Sequence, residues 1–446
     1  MTSGGEGLGG RRQVLGRQLL RSRASNTYYG WWIVAAGFLN QGLAAAMLQR
    51  SYGAYVTLLQ AEFGWSKAAL SGAFSMQQVE NGLLGPVQGW LIDRFGPRLS
   101  MRLGVIFLGA GFMAFSQIDS LTGFYLAYLS MAIGSSLSGY FPFTVVIVNW
   151  FERRRSRALS VMQLGGAIGG LLVVAIAFAL EHFGWRNTAF FSGVLLIVLG
   201  LPLVQMVRPG PRPAEAAGEM GFAGESRSGA ETLSSQEASS GEFTLSEALR
   251  TPAFWLISLG HGSALLIVSA VNVHVILHLT EHLDYSLALA SLVVTAINAG
   301  QIGGTLIGGF IGDRYDKRLI AFGCMAGHAI GLLLVAYATN AVMVFAFAAL
   351  HGVAWGLRGP MMAAIRADYF GRRSYSTILG TSSVITMFGS ILGPIVAGLL
   401  ADYSGGYQLG FTILAVLSGL GSWFFLMAQR PSRPGLPRPA APGAEA

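Results

Sequence analysis

A charged segment of about ten residues occurs twice in the chain, each time between two long apolar runs. The first copy, Gly89–Arg98, reads GWLIDRFGPR, and the second, Gly309–Arg318, reads GFIGDRYDKR. The copies lie about half the chain apart, so they predict that the chain consists of two related halves. Because each copy is a short turn between apolar runs, the repeated unit is predicted to be a membrane unit.

The composition excludes a soluble protein. The mean hydropathy is +0.54, and charged residues make up 11% of the chain, against roughly 25% in soluble domains. The remaining charges lie between apolar runs of about 20 residues, the length that a helix needs to cross a bilayer. The single cysteine, Cys324, lies inside one of these runs and cannot form an internal disulfide.

The apolar runs predict an all-α membrane protein with twelve transmembrane helices in two six-helix halves. We number the spans 1 to 12 in chain order: 29–50, 66–92, 98–117, 121–149, 156–181, 186–207, 252–279, 286–312, 318–338, 341–364, 374–402 and 407–428. Several exceed 20 residues, which implies tilted helices or helices that extend beyond the hydrocarbon layer.

The same pattern predicts the domain organisation. A basic tail (1–28) precedes the N-terminal half (29–207), and the C-terminal half (251–429) precedes a Pro-rich tail (430–446). Between the halves, residues 208–250 are rich in Gly, Ser, Ala, Glu and Pro. Such a segment buries too little apolar surface to fold alone, so a flexible linker is predicted.

The basic residues indicate the orientation. Most of the 29 Lys and Arg residues lie in the two tails, in the linker and in alternate loops, all on one side of the predicted membrane. The positive-inside rule then places both termini in the cytoplasm. The predicted location is the plasma membrane, or the cell inner membrane of a bacterium. Because the net charge of +8 is not concentrated in one tract or face, the pattern argues against a nucleic-acid partner.

The motifs resemble those of the major facilitator superfamily across nearly the whole chain. The doubled Gly-x-x-x-Asp-Arg turn is the most specific of them, and 149–158 (NWFERRRSRA) is similar to the superfamily's loop after span 4. Within the superfamily the chain looks most like the monocarboxylate porters and the oxalate/formate exchangers. That second likeness rests on the segments YGWW (29–32), FGWS (63–66), FGWR (183–186), TPAFW (251–255) and GPIVAG (393–398).

The resemblance implies a secondary active transporter that works by alternating access. The chain is expected to be a monomer. It also implies that Asp93 and Arg94, with Asp313 and Arg314, form gates that set the conformational equilibrium. Each aspartate is expected to contact the positive end of a helix or a basic residue. The chain departs from this family on span 8, where animal monocarboxylate porters carry an Asp and an Arg. The matching positions here are Gly300 and Gly304.

Two arginines within or at the edge of spans are candidate substrate ligands, because an ionisable group in a span is costly. Arg50 lies near the outer end of span 1, and Arg358 lies between Gly and Pro residues of span 10. A guanidinium can donate two parallel hydrogen bonds to a carboxylate. Alternatively, Arg50 extends to the membrane interface, and Arg358 pairs with a carboxylate or a carbonyl of a kinked helix.

Glu80 in span 2 and His351 in span 10 are candidate proton carriers. Glu80 could instead pair with one of the arginines, and His351 could be a packed neutral side chain.

Uncharged cavity contacts are predicted at Asn40, Tyr140, Asn298 and Gln301, with Gln41 and His261 as further polar candidates; each could instead bond to a neighbouring helix. His274 and His278 have no carboxylate or cysteine nearby in the span, so no metal site is predicted.

The predicted function is therefore transport of a small organic anion, a monocarboxylate moved together with a proton. Two arginines against one glutamate in the spans leave an excess positive charge for an anion to neutralise. No nucleotide-binding loop or catalytic arrangement is present, so neither enzyme activity nor a cofactor is predicted. The alternatives are a carboxylate exchanger, an exporter of drugs or amphiphiles, and a membrane sensor that does not transport. Membrane lipid and the small molecule are the expected partners.

Overall fold

The structure is a computed structural model that describes residues 28–212, 215 and 242–431. Nearly all of the predicted tails 1–28 and 430–446, and most of the predicted linker 208–250, therefore lie outside the described residues. All regular structure in the described ranges is helical.

The N-terminal half contains spans 1 to 6. Span 1 comprises Gly30–Ala44, a π-helical turn at Ala45–Arg50 and Tyr52–Phe63. Spans 2 and 3 are Lys67–Phe95 and Pro97–Phe115, and span 4 comprises Leu121–Ser138 and Tyr140–Trp150. Span 5 begins with Arg155–Gly169 and a 3₁₀ turn at Gly170–Leu172. The helix Val173–Gln205 then completes span 5 and forms span 6, with a break at Gly184, whose φ is 76°.

The C-terminal half is more regular. Its six spans are Pro252–His282, Leu287–Ile311, Lys317–Ala336, Ala341–Phe370, Tyr375–Ser404 and Tyr407–Met427. Several begin at a side chain that caps the helix: Thr251 before span 7, Ser286 before span 8 and Asn340 before span 10 each accept a hydrogen bond from a backbone N–H of the first turn. These caps satisfy donors that an uncapped helix end would leave free.

Among the described residues, ten helical segments are long and apolar enough to cross a membrane. Two further spans make twelve. Span 2 falls short because Glu80, Asn81 and several glutamines lower its hydropathy, and spans 5 and 6 are joined into one helix across Gly184. The twelve-helix fold predicted from the sequence is confirmed.

Two pairs of spans join the halves. Spans 2 and 11 approach so closely that a Cβ on Gly85 would lie 2.7 Å from the carbonyl oxygen of Gly380. Spans 5 and 8 form the symmetry-related contact, where Gly309 packs against Ser160 and Arg157. The lack of a side chain at these glycines lets the backbones of spans 2 and 11 meet directly and lets span 8 approach Ser160 of span 5.

The C-terminal half begins before the end of the predicted linker. Residues 242–250 are described, and they contain the short helix Leu245–Leu249. Thr244 and Glu247 form a reciprocal cap at its start, and the buried Phe243 packs edge-on against Phe370. A cap and one aromatic contact therefore fix a segment whose composition indicates a linker.

Candidate functional site

A cavity of about 340 Å³ lies between the two halves. The N-terminal half contributes residues of spans 1, 2 and 4, and the C-terminal half contributes residues of spans 7, 10 and 11. The lining residues are Gln41, Gln49, Gln77, Asn81, Gln88, Ser135, Ser136, Tyr140, Phe141, His261, Arg366, Leu379, Ser382, Ser383 and Thr386. Only Phe141 and Leu379 in this set are apolar residues, so most positions of the wall offer a polar side-chain group that can orient a ligand.

Arg366 is the one arginine among the described residues that line the cavity. Its side chain is only 2% exposed, and it donates to the carbonyl of Met362 (2.6 Å) and to the hydroxyl of Ser382 (2.7 Å). No carboxylate lies within 4.0 Å of it among the described residues. A buried guanidinium without a counter-ion is costly, so this position favours the binding of an anion from the cavity.

His261 of span 7 lies beside Arg366, with its Nδ1 at 3.3 Å from Nη2 of the guanidinium. Because arginine can only donate, Nδ1 of His261 accepts, and the neutral ring carries its proton on Nε2. Arg366 thereby fixes the tautomer and leaves the Nε2–H as the ring donor available to a ligand in the cavity.

Tyr140 is the aromatic hydroxyl in the wall, and it accepts a hydrogen bond from Gln163 at 3.2 Å. The phenolic proton is then free to donate into the cavity. Arg366, His261 and Tyr140 together form what we call the anion cluster. All three can donate to one carboxylate.

Glu80 lies behind the cavity wall in span 2. It is 7% exposed, its Oε2 accepts from Ser136 at 3.0 Å, and its Oε1 has no partner among the described residues. Ser136 itself lines the cavity, so one hydroxyl separates this carboxyl from the ligand space. A buried carboxyl with an unpaired oxygen can hold a proton at that atom.

Of the other residues that the sequence suggested, Gln41 lines the cavity, and the rest lie outside its wall in this conformation. Arg50 is exposed at the end of the π-helical turn, although its neighbour Gln49 does line the cavity. Arg358 is 2% exposed, and its Nε and Nη1 have no partner among the described residues. The unpaired Arg358 is a second buried positive charge behind the wall.

The remaining polar candidates bond within their own half or face elsewhere. Asn40 donates to the carbonyl of Ser138 at 2.9 Å. His351 is fully buried, and its Nδ1 lies 3.1 Å from Nδ1 of His328. Asn298 and Gln301 of span 8 are partly exposed and lie outside the cavity wall.

The glycines of span 8 explain why no charged ligand occurs there. A Cβ on Gly304 would lie 2.2 Å from the carbonyl oxygen of Val353, and one on Gly300 would lie 3.2 Å from the Cα of Gly352. Span 8 packs directly on span 10 at these positions. A side chain at Gly304 would clash with the backbone of span 10, and one at Gly300 would require that backbone to shift by a few tenths of an ångström. In this chain the charge of the cavity is carried by span 10.

The two gate aspartates each contact the start of a helix in the other half. Asp93 accepts hydrogen bonds from the hydroxyls of Ser376 and Thr377 at the start of span 11. Asp313 accepts from the backbone N–H of Ser156 (2.7 Å) and Arg157 (3.2 Å) at the start of span 5. Arg94 and Arg314 are exposed, and no side-chain hydrogen bond or ion pair joins them to another described residue.

Ion pairs reinforce this face, where Tyr28, Phe243 and Ala428, close to the ends of the described ranges, also pack. We call it the linker face. Asp368 pairs with Arg155 and with Lys317 (2.8 Å), and Glu152 pairs with Arg372. Between described residues, all but one of the hydrogen bonds that join the two halves lie at this face. The exception, from the hydroxyl of Ser383 to the carbonyl of Gly82, lies beside the cavity. The structure is therefore closed at the linker face.

The sequence interpretation missed Arg366 because it ended span 10 at residue 364 and assigned Arg366 to the following loop. The helix continues to Phe370, and Gly371, with a φ of 77°, ends it. A glycine at this position is the usual signal of a helix end. That signal would have placed Arg366 inside the span.

Two six-helix halves joined by glycine contacts, with a polar cavity between them and ion pairs on one face, define a membrane transporter of the alternating-access class. The family model of the Major Facilitator Superfamily matches residues 35–278 and 257–445. The chain belongs to the Major Facilitator Superfamily.

Relatives and solved structures agree with this assignment. The chain is 26% identical to human monocarboxylate transporter 11, over 92% of this chain and 83% of the relative. It is 23% identical to the oxalate:formate antiporter of Oxalobacter formigenes, over 83% and 85%. The crystal structure of the human organic anion transporter MFSD10 (TETRAN) superposes with a TM-score of 0.64 at 15% identity, covering 88% of this chain and 98% of that one. At that identity the likeness shows the fold alone.

Proposed function

We propose that the chain is a secondary transporter of a small organic anion, a monocarboxylate moved with a proton. The observation that carries the proposal is Arg366: a buried cation in the cavity wall without a carboxylate partner among the described residues. The names of the relatives, monocarboxylate transporter and oxalate:formate antiporter, support a carboxylate substrate.

In this mechanism the substrate carboxylate binds to the anion cluster. Arg366 offers charge-assisted donors, while the Nε2–H of His261 and the hydroxyl of Tyr140 complete the shell. Such bonds are roughly twice as strong as neutral ones. Arg358, behind the wall and within electrostatic reach of Tyr140, adds positive potential to the site.

Glu80 is the proposed proton carrier. It lies one hydroxyl away from the cavity and has an unpaired oxygen on which a proton can reside. Arg50, His351, Asn40, Asn298 and Gln301 take no direct part in this proposal, because they lie outside the cavity wall.

In this proposal, alternating access depends on the contacts at the linker face. In the proposed orientation that face is cytoplasmic, so the structure is closed to the cytoplasm. Release of the contacts of Asp93 and Asp313, together with the ion pairs of Asp368 and Glu152, opens the cavity to that side. Binding of anion and proton together favours this rearrangement because the pair is electrically neutral.

Uptake of radiolabelled carboxylates into proteoliposomes tests the proposal, with and without an inward proton gradient. Stimulation by the gradient supports symport. Uptake that needs a carboxylate on the opposite side and ignores the gradient supports the exchanger instead. Uptake of neutral solutes alone, unaffected by Arg366→Ala, would overturn the assignment to anions.

A further inference from the structure

The amide side chains of the cavity are not explained by a carboxylate alone. Five of them line the wall of the N-terminal half: Gln41, Gln49, Gln77, Asn81 and Gln88. Hydroxyls of Ser135, Ser136, Ser382, Ser383 and Thr386 complete the polar surface around them. A short acid with an alkyl tail needs few of these groups.

Most of the amide donors have no protein partner. The Nε2 of Gln88 is buried and unpaired among the described residues, although the side chain is only 3% exposed. Gln77 uses its Oε1 to accept from Tyr128 at 2.9 Å, which leaves its NH₂ group for another acceptor. No side-chain hydrogen bond joins Gln41 or Gln49 to another described residue.

Unpaired amides in the wall of a cavity, two of them buried (Gln77 and Gln88), favour a hydroxylated ligand. A primary amide presents a donor and an acceptor side by side, and a hydroxyl group offers the complementary acceptor and donor. An alkyl chain in the same place would leave the amides without water and without partners, which costs free energy for each group. A site built around hydroxyl contacts therefore rejects analogues that lack them.

The size of the cavity agrees with a ligand of several hydroxyls. Its 340 Å³ equals about eleven water volumes of ~30 Å³ each. A three-carbon acid leaves much of that space to water. A six-carbon acid with a hydroxyl on each inner carbon fills most of it, with room for a few bridging waters.

We propose that the substrate is a polyhydroxylated monocarboxylate, such as an aldonic acid, bound across the two halves. Its carboxylate lies at the anion cluster of the C-terminal half, and its hydroxyls contact the amides of the N-terminal half. This inference rests on the proposed function, because the same cluster binds the carboxylate. It adds that the body of the anion is hydroxylated.

Four probes separate the contribution of the carboxylate from that of the hydroxyls. They are tested in proteoliposomes that contain the purified full chain. Gluconate has both the charge and the hydroxyls, hexanoate has only the charge, sorbitol has only the hydroxyls, and lactate is a short control. We expect uptake of labelled gluconate, with hexanoate and lactate competing at least about tenfold more weakly, as the loss of two or more hydrogen bonds implies.

Substitution of one amide residue tests whether the N-terminal wall binds the hydroxyls of the substrate. Gln88→Leu should lower gluconate uptake about fivefold, the value of one hydrogen bond of about 1 kcal/mol, and leave any hexanoate uptake unchanged. Gln78→Leu is the matched control, because this glutamine lies on the same span but is exposed and outside the cavity wall. The melting temperature of each purified variant reports on folding. Gln49→Leu, at an exposed side chain, replaces Gln88→Leu if the latter does not fold.

The outcomes distinguish this inference from the proposed function. Hexanoate or lactate transported as well as gluconate would overturn the hydroxylated substrate and leave the organic-anion assignment intact. Sorbitol transported as well as gluconate, and equally by Arg366→Ala, would overturn both. Transport of none of the four probes would overturn the hydroxylated substrate as well.

Discussion

The N-terminal half lines the cavity with five amides, whereas the C-terminal half lines it with Arg366 and His261. The same two halves are nearly equivalent at the linker face, where Asp93 and Asp313 each contact the start of a helix in the opposite half. The positions of the gate contacts are thus alike in the two halves. The cavity walls of the two halves, in contrast, carry different chemistry.

The largest expected effect concerns the charged wall. Arg366→Ala removes the charge-assisted hydrogen bonds to the carboxylate, each worth about 1.5–3 kcal/mol, so uptake should fall by about 100-fold or more. Arg366→Lys should retain part of the activity, because it keeps the charge and loses the fork of donors. Initial uptake rates in proteoliposomes measure both.

Two other arginines sharpen this test. Arg373→Ala, at an exposed loop position, is the control. Arg50→Ala discriminates between the sequence interpretation and the structure: since Arg50 lies outside the cavity wall, uptake should stay close to that of the unaltered chain. A loss with Arg50→Ala as large as that with Arg366→Ala would contradict the placement of the anion site.

The second effect concerns the acidic group of the N-terminal half. With proton symport, a gradient of one pH unit, or about 1.36 kcal/mol, supports about tenfold accumulation of substrate. Glu80→Gln cannot release a proton, so accumulation driven by the gradient should disappear while exchange of internal for external substrate persists. Glu281→Gln, at an exposed position at the end of span 7, is the control. Retained accumulation in Glu80→Gln would remove Glu80 from the coupling.

The third effect concerns the two gates, which differ in one detail. Asp93 is held by side-chain hydroxyls, and Asp313 is held by backbone N–H groups. Substitution of the donor residues can therefore remove the hydrogen bonds to Asp93, but it leaves the backbone hydrogen bonds to Asp313 in place. The double variant Ser376→Ala/Thr377→Ala should favour opening of the linker face, whereas Ser156→Ala should not.

Cysteine labelling measures this opening. A cysteine at Leu379, in the cavity wall, reacts with a maleimide added to the linker face only when that face opens. Loss of about 1 kcal/mol from the closed state should raise the labelling rate about fivefold. The native Cys324 is buried and is replaced by serine in this background. Equal rates in the double variant and in Ser156→Ala would show that the hydroxyls do not hold the gate.

Periodicity was enough to predict the fold but only part of the site. Twelve apolar runs and a doubled turn determine the helices and the two halves, because crossing a bilayer leaves a chain few other arrangements. The cavity depends on which side of each helix meets which neighbour, and no single span shows this. Arg358 and Arg366 lie on one helix, yet only Arg366 reaches the cavity wall, since the packing of span 10 against span 8 decides their surroundings.

The smallest expected effect concerns the two copies of the doubled turn. They use different residues immediately before the helix that follows the turn. At the same position of the turn, the first copy has Gly96, with a φ of 81° and a ψ of 158°, and the second has Asp316, which caps span 9 by accepting from the N–H of Arg318 at 2.8 Å. No atom lies within 4 Å of a Cβ built on Gly96, so the cost of Gly96→Ala is purely conformational.

These two substitutions should therefore differ in magnitude. Gly96→Ala forces a backbone region that only glycine tolerates, at about 1–3 kcal/mol, whereas Asp316→Ala loses one cap, at about 1 kcal/mol. The melting temperature of the purified protein should fall in both variants, and further in Gly96→Ala. Gly166→Ala, inside the helix Arg155–Gly169 and with open space around its Cβ, is the matched control and should not lower it. If Gly96→Ala melts like the control, the first copy of the turn does not depend on its glycine, and the two copies are equivalent in conformation as well as in position.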